Sequence, residues 1–255
     1  MDILSYLLGK KAGSGSGGET RNWAEVGYES EPEFLSTAFT HAKEIYDEWD
    51  PTETNLFAKF QADLDLIYFP LVDTSNVTSM ESMFISCGYL EYVPAIDTSN
   101  VTTMLRMFAY DNSLKEVDFT NFDTSNVTTM ERMFFRAYGL RKLVMPFDTA
   151  KVTNFSHFCE DDYYLAEVDM SSFDSPLVTD CTYMFSNCKA LKKIDARKFD
   201  FTVLTTSASY NNMFGANATS GPPNDCLIIV KDNDQKSWFS SHFSRFTNLK
   251  TPEEL

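Results

Sequence analysis

Several residue types that mark particular protein classes are scarce in this sequence. Only 10 glycines and 9 prolines occur among 255 residues, which excludes a collagen-like rod and a low-complexity disordered chain. The five cysteines form no C-x-x-C pair, so buried free thiols are favoured over a disulfide framework or a zinc site. No apolar run approaches the roughly 18 residues that a membrane-spanning helix needs, and no membrane partner is expected.

Basic residues are also few. The 21 lysines and arginines stand against 37 acidic residues, which gives a net charge of -16. This charge repels phosphate backbones, so nucleic acid is not an expected partner. The sequence is rich in hydrophobic residues, at 43% of the chain with 22 phenylalanines and 12 tyrosines, which is enough to fill the core of one or two domains.

The corner motif, Asp-Thr-Ser-Asn-Val-Thr, recurs along the middle of the chain. Three identical copies and three degenerate ones open six repeats, at Asp73, Asp97, Asp123, Asp148, Asp174 and Asp200. The steps are 24, 26, 25, 26 and 26 residues, and self-similarity at that period is typical of a solenoid. A degenerate unit is predicted before the first repeat, with Phe60 in the place of Phe84.

The sequence predicts five segments. Residues 1–11 are an N-terminal docking peptide with the apolar side chains Ile3, Leu4, Tyr6, Leu7 and Leu8, and residues 12–18 are a Gly/Ser linker. Residues 19–54 form a helical N-terminal cap, with the helix starting near Ser30 and ending before Pro51. Residues 55–225 form the solenoid. Residues 226–255 form a C-terminal cap made of a strand and a helix over 232–249.

The repeat units resemble those of the BspA-type leucine-rich-repeat surface proteins. The resemblance rests on the segment NVTTMERMF, on the L-x-x-V-D that follows it and on the corner motif, and it spans about residues 55–215. It implies an α/β solenoid of about six to seven coils with a parallel sheet. It also implies a non-enzymatic role in adhesion or host binding, because members of the family resemble adhesins.

The N-terminal end points to a different setting from that of the surface-anchored members. A secretory leader is not recognisable, and an apolar peptide on a Gly/Ser linker is typical of an appendage that plugs into a larger particle. We therefore expect a bacteriophage virion protein of the tail or capsid. Residues 1–11 would dock on a virion structural protein, and the solenoid would bind a host-surface protein or glycan. A homo-oligomer is compatible with this role.

Two surfaces are predicted to be candidates for ligand binding. On the strands, the residues expected to point outward are Tyr68, Tyr92, Glu116, Lys142, Glu167 and Lys193. The last four alternate in charge and should fix the register, whereas the tyrosines form a candidate binding patch. The second surface, the tyrosine row, precedes each leucine and consists of Tyr89, Tyr110, Tyr138, Tyr163 and Tyr164. Tyr89, Tyr138 and Tyr164 are its expected ligand-binding residues, although the row could instead stack between coils.

Metal binding and catalysis are less well supported by the sequence. The repeated aspartates could form a column that holds Ca2+, but each is better explained as an acceptor within its own turn, and no metal or cofactor is predicted. His157 and Cys159 are two residues apart, yet Cys159 lies near the position of a core phenylalanine. An enzyme is therefore not expected. The alternatives to the phage recognition module are a bacterial cell-surface adhesin, a structural virion decoration without a ligand, and a glycan-cleaving enzyme.

Overall fold

The computed structural model describes residues 31–216 and 219–255, apart from the side chains of residues 31–36 and Glu116. The predicted docking peptide and linker, together with the helix start at Ser30, lie outside this part. The three α-helices described are α1 (Glu31–Asp47), α2 (Ser207–Tyr210) and α3 (Asn233–His242). The strands are β1 (Tyr92–Val93), β2 (Glu116–Val117), β3 (Lys142–Val144), β4 (Glu167–Asp169), β5 (Lys193–Asp195), β6 (Leu227–Ile229) and β7 (Leu249–Lys250).

The strands form two parallel sheets. One pairs β1 with β2, and the other has the order β3-β4-β5-β6-β7. Lys142 lies opposite Glu167, which lies opposite Lys193, so the predicted register is confirmed for these strands. A parallel sheet with few helices agrees with the predicted α/β class, and neighbouring strands come from successive repeats because a parallel pair needs a long connection.

A second line of hydrogen bonds joins the repeats away from the sheets. Its bridges run in parallel through Asn55, Ser79, Thr103, Thr129, Asn154 and Asp180. Past each bridge, alternate backbone N–H groups donate to the following repeat. The N–H groups of Ser82 and Phe84, for example, donate to the carbonyls of Leu105 and Met107 at 2.8 and 3.0 Å. Repeats whose strands pair are thus bonded along two separate edges, whereas the second and third repeats, whose strands β2 and β3 lie in different sheets, are joined along this second line.

The segment between this bridge and the strand is a chain of tight turns. In the third repeat, the N–H of Met133 donates to the Met130 carbonyl, and the N–H of Ala137 donates to the Phe134 carbonyl. The third residue of each turn, Arg132 or Arg136, has a positive φ of 56° or 59°. A helix cannot form because alternate N–H groups bond to the neighbouring repeat instead of to the residue four positions back.

Phenylalanine rings fill the core and continue from repeat to repeat. Phe60, Phe84, Phe108 and Phe134 stack with centroid separations of 5.8, 5.6 and 5.5 Å. The Phe60 N–H donates to the Met83 carbonyl as the Phe84 N–H does to Met107, so the prediction that Phe60 takes the place of Phe84 is confirmed. All five cysteines are free and buried.

The core positions of the fourth repeat hold different residues from those of the third, with a similar total side-chain volume. Met130, Met133 and Phe134 of the third repeat are replaced there by Phe155, Phe158 and Cys159, all fully buried. One phenylalanine position becomes cysteine, and two methionine positions become phenylalanine. Compensating changes of volume of this kind are what a close-packed interior tolerates best.

The N-terminal end of the repeats is covered by α1. Ala38 and Ala42 of this helix are buried, and Ile45 packs against the core cluster. Just after the helix, the indole Nε1–H of Trp49 donates to the Asp73 carbonyl at 2.7 Å. A side chain of the segment assigned from sequence to the cap is therefore hydrogen-bonded to the first repeat.

The C-terminal cap differs from its prediction in the length of the helix. The Asp232 side chain accepts the Gln235 N–H and starts α3, as expected, but the helix ends at His242, whereas it was expected to continue to residue 249. Leu249–Lys250 instead forms β7, whose neighbour Asn248 accepts the Ile228 N–H. The helix ends early because Phe246 packs into the core, where its ring centroid lies 5.2 Å from that of Phe214 and 5.8 Å from that of Phe239.

Candidate functional site

The threonines of the corner motif are used in joining the repeats. The hydroxyls of Thr74, Thr98 and Thr124 donate to the carbonyls of Asp97, Asp123 and Asp148 in the following repeat, at 2.7, 3.0 and 2.7 Å. The asparagines reach the opposite way, and the Asn100 amide donates to the Ser75 carbonyl at 2.7 Å. The most regular residues of the sequence are therefore structural and offer little to a ligand.

The aspartates of the corner motif close their own turns. Asp73 and Asp123 accept the N–H of Ser75 and Ser125 at 3.0 and 2.9 Å. The side chains of the two serines, and after them these N–H groups, lower the pKa of both carboxyls. Within the part of the chain that the structure describes, no group of three or more His, Cys, Asp or Glu side chains is placed to hold a metal ion. The observed hydrogen bonds support the turn interpretation over the calcium column.

The first candidate surface, on the strands, differs from its prediction. Tyr68 and Tyr92 lie opposite each other in parallel pairing, but each is only 9% exposed. The prediction that these two side chains form an outward-facing patch is therefore wrong. Strand alternation predicts which residues share a face, but it does not predict how far each side chain on that face is exposed.

The charged residues farther along the same face behave as expected. The Lys142 ammonium lies 3.1 Å from the Glu167 carboxylate, and both side chains are about half exposed. Such an exposed pair contributes about 0.2–1 kcal/mol. We assign this part of the surface to register rather than to binding.

The second candidate surface contains the tyrosines that the structure brings together. The rings of Tyr138 and Tyr163 stack at a centroid distance of 5.5 Å and an interplanar angle of 11°. Tyr164 is 56% exposed, and the Arg141 guanidinium lies 4.7 Å from its ring centroid. The Lys189 ammonium lies 5.5 Å from the centroid of Tyr163. We call Tyr138, Tyr163, Tyr164, Arg141 and Lys189 the tyrosine–cation patch.

The two cations of the patch are available to a ligand. Arg141 is exposed and uses one guanidinium nitrogen to bond the carbonyls of residues 138, 139 and 140, whereas Lys189 is exposed and contacts a tyrosine ring. Among the described residues, neither forms an ion pair with a carboxylate. In a chain of net charge -16, two such cations beside tyrosines make a local surface of opposite sign.

A row of polar contacts borders the patch and fixes its position. The Arg136 Nε–H donates to Asp161 at 2.8 Å, and the Asn187 amide donates to the same carboxylate at 2.7 Å. Arg136 also lies 5.7 Å from the Tyr110 ring. Burial raises the pKa of the Tyr163 phenol, with a further contribution from the Asp161 charge. The patch thus lies beside hydrogen-bonded side chains that come from three successive repeats.

The tyrosine row is only partly a continuous surface. Tyr89 is half-buried and makes no ring contact with the patch among the described residues, although it was predicted to bind ligand with Tyr138 and Tyr164. In the two repeats between Tyr89 and Tyr164, the matching position is occupied by Ser113 and Gly139. A side chain at Gly139 would approach within 2.5 Å of the Leu114 carbonyl, so the close approach of two repeats excludes a tyrosine there.

Sequence reasoning missed the cations of the patch. Lys189 lies fifteen residues after the first residue of its corner motif, as Tyr138 and Tyr163 do in theirs. A comparison of all residue types at this position, and not of the tyrosines alone, would have identified Lys189. Arg141 carried no comparable signal, because it lies three positions further along and contacts Tyr164 of the next repeat.

The pair considered as a nucleophile and base is not arranged for that chemistry. Cys159 is fully buried, and burial raises the pKa of its thiol, with a contribution from the Asp162 charge. Its N–H donates to the Met184 carbonyl, which places it where the other repeats have phenylalanine. His157 lies over the Tyr183 ring at 4.9 Å. A reactive cysteine needs a lowered pKa and access to solvent.

The comparisons place the chain among proteins without a known role. A family model described as "Mycoplasma protein of unknown function, DUF285" matches residues 35–161 and 112–223, which together cover most of the chain and all of the tyrosine–cation patch. No curated protein and no solved structure matches the sequence. None of the helices described in the structure is long and apolar enough to cross a membrane.

Proposed function

The chain belongs to the DUF285 family, and we propose that it is a non-enzymatic recognition module whose repeats form a BspA-like solenoid of six to seven coils. The observation that carries the proposal is the tyrosine–cation patch. Tyrosine supplies rigid contact area with one polar tip, and it is enriched with arginine at recognition surfaces. The ligand is a host-surface protein or glycan, and the cations favour one that bears acidic groups.

The difference between the two surfaces also favours recognition over decoration. The corner motif repeats almost without change and makes only structural bonds, whereas the patch occurs once, across the third to fifth repeats. A purely structural decoration would have no reason to place beside exposed tyrosines two cations that form no ion pair within the described part of the chain. A structural decoration has no ligand, so only a demonstration that the chain binds one would exclude this alternative.

The binding test uses the full chain on an array that carries acidic and neutral glycans together with extracellular proteins. We expect binding to acidic members, weakened at high salt. The variants Arg141→Gln, Lys189→Gln and Tyr164→Ser should each lower the affinity about tenfold, which is the effect of losing roughly 1.4 kcal/mol. Control variants are Lys198→Gln and Tyr46→Ser, which change exposed side chains outside the patch. Absence of binding, or equal loss in the controls, would overturn the proposal.

The setting in which the module acts is a separate proposal. Residues 1–18, an apolar peptide followed by AGSGSGG, would attach it to a virion structural protein of a phage tail or capsid, and the alternative is a bacterial cell surface. Deleting residues 1–18 should leave the melting temperature nearly unchanged while abolishing co-purification with phage particles. A shortened chain that still enters particles, or a full chain found only on intact cells, would refute the virion placement.

A glycan-cleaving enzyme is the remaining alternative. Incubation of the same acidic and neutral glycans with the full chain should yield no shortened products. Released oligosaccharides that disappear on substitution of an acidic residue would replace the recognition proposal with catalysis.

A further inference from the structure

Two aspartates lie inside the core, where carboxylates are rare. Asp111 and Asp162 are 0% and 1% exposed. None of their four carboxyl oxygens has a hydrogen-bond partner, and they are the only such buried side-chain atoms among the described residues. An ionised carboxylate buried without a partner costs several kcal/mol, so the charged form is strongly disfavoured at both sites.

The neighbouring repeats show how a polar side chain at this position is bonded. Asp111 and Asp162 come fourteen residues after the start of their corner motifs, as Cys87 and Cys188 do in the first and fifth repeats. The thiols of these cysteines donate to the carbonyls of Phe60 and Cys159 in the preceding repeat, at 2.8 and 2.9 Å. The third repeat has the buried Ala137 here, without a donor, so the position accepts a short side chain and, where that side chain is a thiol, it donates to one particular main-chain oxygen.

We propose that Asp111 and Asp162 are neutral carboxylic acids in the folded protein, each donating its O–H to the main-chain carbonyl that the thiol uses elsewhere. By repeat register these acceptors are the carbonyls of Phe84 for Asp111 and of Phe134 for Asp162. Only the protonated acid can donate, since a carboxylate is an acceptor alone. The stability of the repeat stack is therefore linked to the retention of two protons.

The groups around each acid favour the neutral form. Burial is the main cause that raises the pKa of Asp111, opposed by the Cys87 backbone N–H, and the titratable neighbour is the Cys87 thiol, which also feels the Asp63 charge. Around Asp162, burial again raises the pKa, the Ala137 backbone N–H opposes this, and the Asp161 charge adds to it. Both opposing N–H groups, of Cys87 and Ala137, are themselves bonded to main-chain carbonyls, those of Phe84 and Phe134.

The remaining neighbours of Asp162 carry no positive charge. They are the thiols of Cys159 and Cys188, whose own pKa values are raised by burial and by the Asp162 charge. The Arg136 guanidinium in this region is bonded to Asp161. No described cation is thus positioned to stabilise an ionised Asp162.

The sign of the pH dependence follows from linkage. The pKa of each acid is higher in the folded state than its ordinary value of 3.8, so the unfolded chain releases these protons first as the pH rises. The stability they contribute is complete below about pH 4 and is lost progressively up to the folded-state pKa. Each acid should raise the unfolding equilibrium constant about tenfold per pH unit in that interval.

The test compares denaturant unfolding of the full chain from pH 5 to pH 8 in the wild type and in the double variant Asp111→Cys/Asp162→Cys. This variant restores the thiol found in the first and fifth repeats. In the wild type, the two acids together should raise the unfolding constant by up to about a hundredfold per pH unit. We expect the double variant to lack this part of the pH dependence. Asp123→Asn is the control, because the lowered pKa of Asp123 places its effect below this range.

A spectroscopic measurement keeps the proposal testable even if the double variant folds poorly. Infrared spectra of the folded wild type at pH 7 should contain the carbonyl stretch of a protonated carboxylic acid, and the single variants Asp111→Cys and Asp162→Cys should each remove part of it. Parallel pH profiles for the wild type and the double variant, or a spectrum without this band, would overturn the proposal.

Discussion

The corner motif and the tyrosine–cation patch lie in the same repeats and use their side chains in opposite ways. At the corner, the threonine hydroxyl, the asparagine amide and the aspartate carboxylate all bond to backbone groups, as with Thr124 and the Asp148 carbonyl. At the patch, Tyr164 is more than half exposed and Arg141 has no ion pair among the described residues. The positions that repeat most exactly hold the fold, and the positions that vary are those available to a ligand.

The largest effect is expected from the core that supports the patch. Phe158 lies 5.5 Å from Phe134 and 5.6 Å from Phe155. Phe158→Ala should lower the free energy of unfolding by about 3–5 kcal/mol because it leaves a cavity. Chemical denaturation measures this loss. Phe158→Met restores the methionine of the other repeats and should recover most of it, and equal losses in the two variants would contradict the packing described.

The corner can be broken without changing its volume. Thr124→Val removes the hydroxyl and leaves the Asp148 carbonyl without this donor, so unfolding should become easier by about 1–3 kcal/mol. Chemical denaturation measures the change. The matched control is Thr120→Val in the preceding turn, where the exposed hydroxyl bonds only to the nearby Asp118 side chain. A loss no greater than in the control would mean that the corner hydroxyls do not hold the repeats together.

The tight turns between the bridge and the strand of each repeat provide a smaller and more selective effect. Arg106 has a φ of 56°, and its N–H donates to the Glu131 carbonyl. Arg106→Val should lower the melting temperature, because a β-branched residue in this conformation costs about 1–2 kcal/mol. Arg106→Gly should leave it nearly unchanged, since the relief of strain is offset by greater freedom of the unfolded chain. The reverse order of melting temperatures would contradict the left-handed turn.

The smallest effect on stability belongs to the patch itself. Tyr164→Ser removes an exposed ring and one contact with Arg141, and it should change the free energy of unfolding by less than about 0.5 kcal/mol. Thermal unfolding beside Tyr46→Ser, an equally exposed tyrosine on α1, gives the comparison. A clearly larger loss for Tyr164→Ser would assign this tyrosine to coil stacking.

The periodic features of the fold could be predicted from the sequence. The step between corner motifs gave the register of Lys142, Glu167 and Lys193 and the equivalence of Phe60 with Phe84, because repeats of similar length must place matching residues side by side. The tight turns between the strands could not be predicted. They arise from hydrogen bonds between repeats, which override the local preference of Arg132 and Arg136 for negative φ.

The candidate site could be predicted less completely. The sequence indicated that tyrosines precede each leucine, but contact between Tyr138 and Tyr163 depends on the alignment of two repeats. Exposure depends on parts of the chain distant in sequence, and for this reason Tyr68 and Tyr92 were wrongly expected to be accessible. The burial of Asp162 could have been predicted, because it occupies in its repeat the position that Cys188 occupies in the next.

The most direct test of this division of roles measures affinity and stability for the same two variants, Thr124→Val and Tyr164→Ser, using the array member that the wild type binds most tightly. We expect Thr124→Val to lower the melting temperature and to keep the wild-type affinity at temperatures below its melting transition. We expect Tyr164→Ser to keep the melting temperature and to lose about tenfold in affinity. If both variants lost stability and affinity together, the separation of corner and patch would be contradicted.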